Sequence, residues 1–130
     1  MGAVNQGATI VDSLLAGGDL SSSQFRFVKM SGTTVVAVSG ATDQPVGVLQ
    51  NTPASGELAT FVRFGPTKLE ASAAITAGAR IGPSANGRGV TYTPNHAGSN
   101  WVCGRARDAA ANAGDIIPVF VDCVNQVLGA

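Results

Sequence analysis

The residues that could carry chemistry are few and widely spaced. His96 is the single histidine of the chain. It lies in TPNHAGSNW, a stretch read as a loop, and no second histidine exists to complete a metal site. Nothing in the sequence ties Asp108 or Asp122 to His96 as a partner. A glycine followed by an acid occurs twice, as Gly56-Glu57 and Gly114-Asp115, each time before an apolar run. Two carboxylates placed alike would suit acid/base work. The local reading is stronger: glycine supplies a turn, and the acid accepts backbone N–H bonds where the next strand begins. Glu57 and Asp115 are therefore expected to be structural.

Cys103 and Cys123 are the only cysteines. Two do not make a disulfide framework. Both sit in apolar, β-like stretches, so buried thiols are expected, with a bridge between neighbouring strands as the less favoured reading. GPSANGRG, from Gly82 to Gly89, looks superficially like a phosphate loop. Arg88-Gly89 stands where that motif needs Lys and then Ser or Thr, and no strand–helix unit surrounds it. Its Asn86-Gly87 instead favours a tight hairpin turn, because both residues tolerate positive φ. No Gly-x-Ser-x-Gly elbow occurs, so the usual hydrolase nucleophile is absent. These residues imply no enzyme, no metal and no cofactor.

Charge narrows the partners. Eight basic and eight acidic side chains cancel, which removes the long-range attraction that nucleic-acid binding requires. Arg105 and Arg107 are the densest basic pair and read as a solvated strand face. Tyr and Trp occur once each, too few for a stacking platform. Trp101 is expected at the core or its rim. Only 12% of residues are charged, about half the usual share, so a partner is expected to cover part of the surface. The first residues lack a basic start and a continuous apolar core, so they are not a secretory signal. No apolar run of about 18 residues is present to span a membrane.

At 130 residues the chain fits one domain, burying about 65–70% of its unfolded surface. Residues 1–20 read as an N-terminal arm. Ile10, Val11, Leu14 and Leu15 would line one face of a short helix ended by Gly17-Gly18. Such a helix is too short to stand alone and must dock on a partner or on its own core. These four residues are the candidate partner-binding set. The β pattern follows over 21–124. QFRFVKM, with Phe25 and Phe27 set against Arg26, reads as a half-buried strand, SGT turns the chain and TVVAVS returns. PVGVLQN and LATFVRF are further strands, and TKLEA is a short one. ITAGARIG, VTYT, WVCGRAR and IIPVFVD repeat the plan. Gly47 aligns with Gly104, Val35 with Val90, and Gly56-Glu57 with Gly114-Asp115. The expectation is all-β: a small β-barrel or sandwich with an internal two-fold pseudo-repeat, about 21–66 and 75–124. The N-terminal arm precedes it and a tail, 125–130, follows.

The series TAGARIG, NGRGVTYT and WVCGRARDAAANAGDIIPVFV resembles the small capsid decoration, or cement, proteins of tailed bacteriophages. The matching positions are Gly78 to Ile81, Gly104 to Ala106, and Gly114-Asp115 to Val121. A looser copy occupies the first half, and the resemblance spans about 18–123. It implies a non-enzymatic structural protein on the outer surface of an icosahedral head, made in the bacterial host cytoplasm. It also implies contacts with the major capsid protein and assembly as a homo-oligomer, a trimer first and a dimer second. The competing reading is the base or binding module of a head fibre or of a tail-associated receptor-binding protein.

Overall fold

The computed structural model describes residues 9–92, 101–124 and 127–128. Among these there is no helix. The strands are β1 (Ile10–Leu15), β2 (Phe27–Ser31), β3 (Thr34–Ala37), β4 (Gly47–Leu49), β5 (Leu58–Glu70) and β6 (Arg80–Pro83). They continue with β7 (Gly89–Thr91), β8 (Trp101–Val102), β9 (Gly104–Ala106), β10 (Ile116–Asp122) and β11 (Val127–Leu128). Nine form one curled antiparallel sheet in the order β3-β2-β4-β5-β10-β9-β6-β7, with β1 added on β5; β8 and β11 pair separately.

β5 holds the sheet together. Its 13 residues serve two sets of neighbours. The first part pairs with β1 and β4, and the second with β10. Side-chain alternation follows the pleat. Ala59, Phe61 and Leu69 are fully buried, whereas Leu58 is exposed. Two core clusters result. One gathers Ala16, Leu20, Val28, Val35, Leu49, Ala59 and Phe61, with Leu14 and Val46 against it. The larger one is built on Leu69, Ile81, Val119 and Val121, and reaches back to Phe27 and Val48.

The same order of pairing occurs twice along the chain. β2 pairs with β3 and with β4, and β4 pairs with β5. β6 pairs with β7 and with β9, and β9 pairs with β10. The two ladders along β5 are also comparable. Leu15↔Leu58, Leu14↔Ala59 and Ser13↔Thr60 in the β1–β5 ladder have counterparts in Glu70↔Ile116, Leu69↔Ile117 and Lys68↔Pro118. A parallel bridge Ala16–Val35 curls one half, and a parallel bridge Ala71–Gly89 curls the other.

Several expectations are corrected. Ile10, Val11, Leu14 and Leu15 lie on a strand, not on a helix, and that strand is hydrogen-bonded into the sheet. QFRFVKM becomes a strand only at Phe27. Phe25 is in a turn with φ 63°, which costs an L-residue about 1–2 kcal/mol. Two backbone bonds hold it there: its N–H donates to Leu49 O at 2.8 Å, and its carbonyl accepts from Glu70 N–H at 2.8 Å. TKLEA is not separate but the end of β5. At the β6–β7 turn only Gly87 has positive φ, not Asn86. The loop closes through Ser84 N–H to Arg88 O at 2.7 Å, so it is a wider hairpin than a two-residue turn.

Candidate functional site

The turns before β5 and β10 are built alike. Gly56 has φ 85° and Gly114 has φ 93°, a region that glycine enters without strain. Glu57 Oε1 accepts the Ala54 N–H at 2.7 Å. Asp115 Oδ2 accepts the N–H groups of Ala111 and Asn112, both at 3.0 Å. Both carboxylates thus organise their own loops. Asp108 bonds the adjacent Ala109 N–H and Asp122 the Val124 N–H, each a local contact. His96 lies outside the described residues. Arg105 and Arg107 are exposed, as a solvated face requires, and Arg105 donates to Gly78 O at 3.0 Å. Trp101 is half-buried against the larger core, and its Nε1–H donates to Thr42 O at 3.1 Å.

Two ionic clusters are structural in the same sense. Glu70 at the end of β5 accepts Arg26 at 3.0 Å and Arg88 at 3.5 Å, joining the β2 side of the sheet to the β7 side. Asp43 takes Lys29 at 2.7 Å and the amides of Ser39 and Gly40 at 3.0 Å. Lys29 first, then these amides, hold the Asp43 carboxyl down to about 2. Cys103 and Cys123 are buried thiols within the larger core cluster. Contact with the Cys123 thiol, followed by burial, pushes the Cys103 thiol well up. Among the described residues no group of three or more His, Cys, Asp or Glu side chains could hold a metal ion. No described helix is long and apolar enough to cross a membrane.

What stands out is the outer face of β1, β5 and β10. Of the large apolar residues that are exposed, Ile10, Val11, Leu15, Leu58, Ile116 and Phe120 lie on these three strands. The register explains the grouping. Leu15 is opposite Leu58, Val11 is opposite Val62, and Ser13 Oγ meets Thr60 Oγ1 at 3.2 Å on the same face. Further along, Phe64 and Phe120 pack edge to face with centroids 5.1 Å apart. The β1 end of this face carries Val11, Ser13, Leu15, Leu58 and Thr60, with no charge among them, and ends at Val62, which is buried in the larger core cluster. A cluster of exposed apolar side chains on one face is a candidate contact surface. β1 also has one edge without a strand neighbour over Ile10–Leu15 among the described residues. Of the four candidate residues, Ile10, Val11 and Leu15 are about half exposed, whereas Leu14 packs on the smaller core cluster. Leu58, Ile116 and Phe120 were not singled out by the sequence. The alternation in IIPVFVD was the available signal for the last two.

A family model described as phage cement protein matches residues 4–121. Among solved structures, the chain is similar to the head fiber gp8.5 N base of bacteriophage phi29. Sequence identity is 14% and the TM-score is 0.62, with 88% of this chain and 95% of that chain covered. That likeness is one of fold. No curated protein matches the chain in sequence. The family match takes in every strand from β1 to all but the last residue of β10. The chain therefore belongs to the phage cement protein family.

Proposed function

We propose that this protein is a non-enzymatic decoration protein on the outer surface of a phage capsid, where it stabilises contacts between major capsid protein subunits. The observation that carries the reading is the uncharged apolar face of β1 and β5 in a chain of the cement family. On this reading Ile10, Val11, Leu15 and Leu58 make the attachment, and Leu14 seats β1 on the domain. Each such side chain is about half exposed, so burying it fully is worth about 0.7–1.5 kcal/mol. A few residues of this kind give a modest contact, which suits a protein attached at many equivalent sites. The uncovered edge of β1 favours self-association as well, a trimer first and a dimer second. Synthesis in the host cytoplasm and location on the virion follow from the same reading, with no nucleic acid or membrane as partner.

The experiment is binding to capsids that lack the protein. Leu58→Asp should leave the folded state intact and lower occupancy at least tenfold; unchanged occupancy would refute attachment through this face. A second reading, the base of a head fibre, is favoured by the fold likeness to the phi29 fiber base. Copy number separates the two: hundreds per particle indicate decoration, and tens indicate a fibre at the vertices.

A further inference from the structure

Cys103 and Cys123 have no role in the attachment reading, yet the fold brings them together from opposite ends of a hairpin. Cys103 stands between β8 and β9, and Cys123 directly follows β10. The Asp122 N–H donates to the Cys103 carbonyl at 2.7 Å, so the two stretches are laced by backbone at this point. Both side chains are at the core, Cys103 wholly covered and Cys123 5% exposed, and both belong to the same buried cluster. Two buried thiols of one cluster, on stretches whose backbones are already bonded side by side, need little backbone movement to bond.

We propose that Cys103 and Cys123 are a dithiol that closes to a disulfide in an oxidising medium and locks the β9–β10 hairpin. The co-reactant is a small-molecule disulfide. Cys123, the less covered of the two, loses its proton and attacks one sulfur of the reagent. A mixed disulfide forms and one reagent thiol leaves. Cys103 then loses its proton and attacks the Cys123 sulfur, expelling the second reagent thiol. The protein gives up two protons and two electrons in all, and the reagent disulfide takes them. The bond closes the loop from 103 to 123 and ties the exit of β10 to the entrance of β9. Burial holds the thiols unreactive while the core is closed, so the reaction waits on local opening around them. A chain folded under reducing conditions would thus acquire the lock afterwards, without a change of fold.

The full chain is purified reduced, incubated with oxidised glutathione, and compared with a dithiothreitol-treated control. Intact mass should fall by two hydrogens, and a non-reducing digest should join the peptides carrying Cys103 and Cys123. The thermal midpoint should rise by about 5–15 °C and return on reduction. Cys103→Ser should stop at a single glutathione adduct on Cys123. Persistence of both thiols after prolonged incubation, or glutathionylation of the wild type without closure, would overturn the proposal. So would a closed bond that leaves the midpoint unmoved. The wild-type comparison needs no variant to fold, and none of these outcomes depends on capsid attachment.

Discussion

Adjacent residues of β1 should respond very differently to the same truncation. Leu14 points to the smaller core cluster, opposite Ala59 and near the buried Phe61, whereas Leu15 is 52% exposed beside the 55% exposed Leu58. Full burial makes a Leu→Ala change cost 2–5 kcal/mol; for the partly buried Leu14 we expect about 1–3 kcal/mol. Leu15→Ala and Val11→Ala remove methyl groups that already face water and should stay within about 0.5 kcal/mol. The assay is urea unfolding of the free protein. With a slope of about 1–3 kcal/mol per molar, Leu14→Ala should move the midpoint by about 1 M and the other two scarcely at all. Capsid binding should show the reverse ranking. A chain starting at Asp19 loses all of β1, together with the Ala16 N–H bond to Glu57 O and the Gly56 N–H bond to Ala16 O. It should lose its cooperative transition. If all three alanine variants unfold like the wild type and the shortened chain keeps its transition, β1 is a dispensable arm and the strand argument fails.

Three other outcomes follow from particular contacts. Gly104 has φ 146°, and a Cβ there would run into the Phe120 carbonyl, so Gly104→Ala should cost at least about 3 kcal/mol. Gly18, with open space around it, should accept alanine with little change in thermal midpoint. Asp115→Ala removes a carboxylate from two amides and Glu57→Ala from one. Both should destabilise, by about 1–3 and 0.5–2 kcal/mol, with Asp115 the larger in chemical unfolding. Asp43 is depressed from the ordinary 3.8 to about 2 in the folded state. Its contribution is therefore fully present above about pH 4 and is lost as pH falls through about 2. An acid titration of thermal midpoint should be flatter over that range for Asp43→Asn; an identical slope would contradict the Lys29 contact.

How much of this was readable depends on whether the deciding contact was local. IIPVFVD announced itself: Ile117, Val119 and Val121 alternate inward, at 4%, 0% and 0% exposure. The Gly-acid turns were legible because their bonds close within a few residues, as Asp115 does on Ala111 and Asn112. Gly47 and Gly104 align in the sequence. The structure shows what glycine does there, since a Cβ at Gly47 would meet Phe61 and the Val62 carbonyl at 2.7 Å. Phe25 was misread because alternation implied a strand, while two long-range backbone bonds bend the chain. The merging of LATFVRF with TKLEA was hidden by Gly65-Pro66, which punctuates the sequence but not the strand; Gly65 has φ 125° and the ladder to β10 runs on through it.

β1 was the hardest element to read, and for a reason that bears on function. Ile10, Val11, Leu14 and Leu15 recur with the spacing of a helix face only because both faces of the strand are apolar. One face is wanted by the core, through Leu14, and the other is left on the surface, through Val11 and Leu15. A strand apolar on one side alone would have alternated and been recognised. On the proposed attachment, the ambiguity is the imprint of a second surface requirement. Nothing in folding asks for Leu15 and Leu58 to face each other at more than half exposure, or for a patch without charge at an uncovered sheet edge. Such an edge invites indiscriminate pairing and is usually blunted with charge or proline. The outward positions of β1, Val11, Ser13 and Leu15, carry neither; its only charged side chain, Asp12, points to the other face, toward Arg63 at 3.7 Å. On the proposed attachment, these apolar side chains serve as a docking edge, and the partner that covers them removes the hazard.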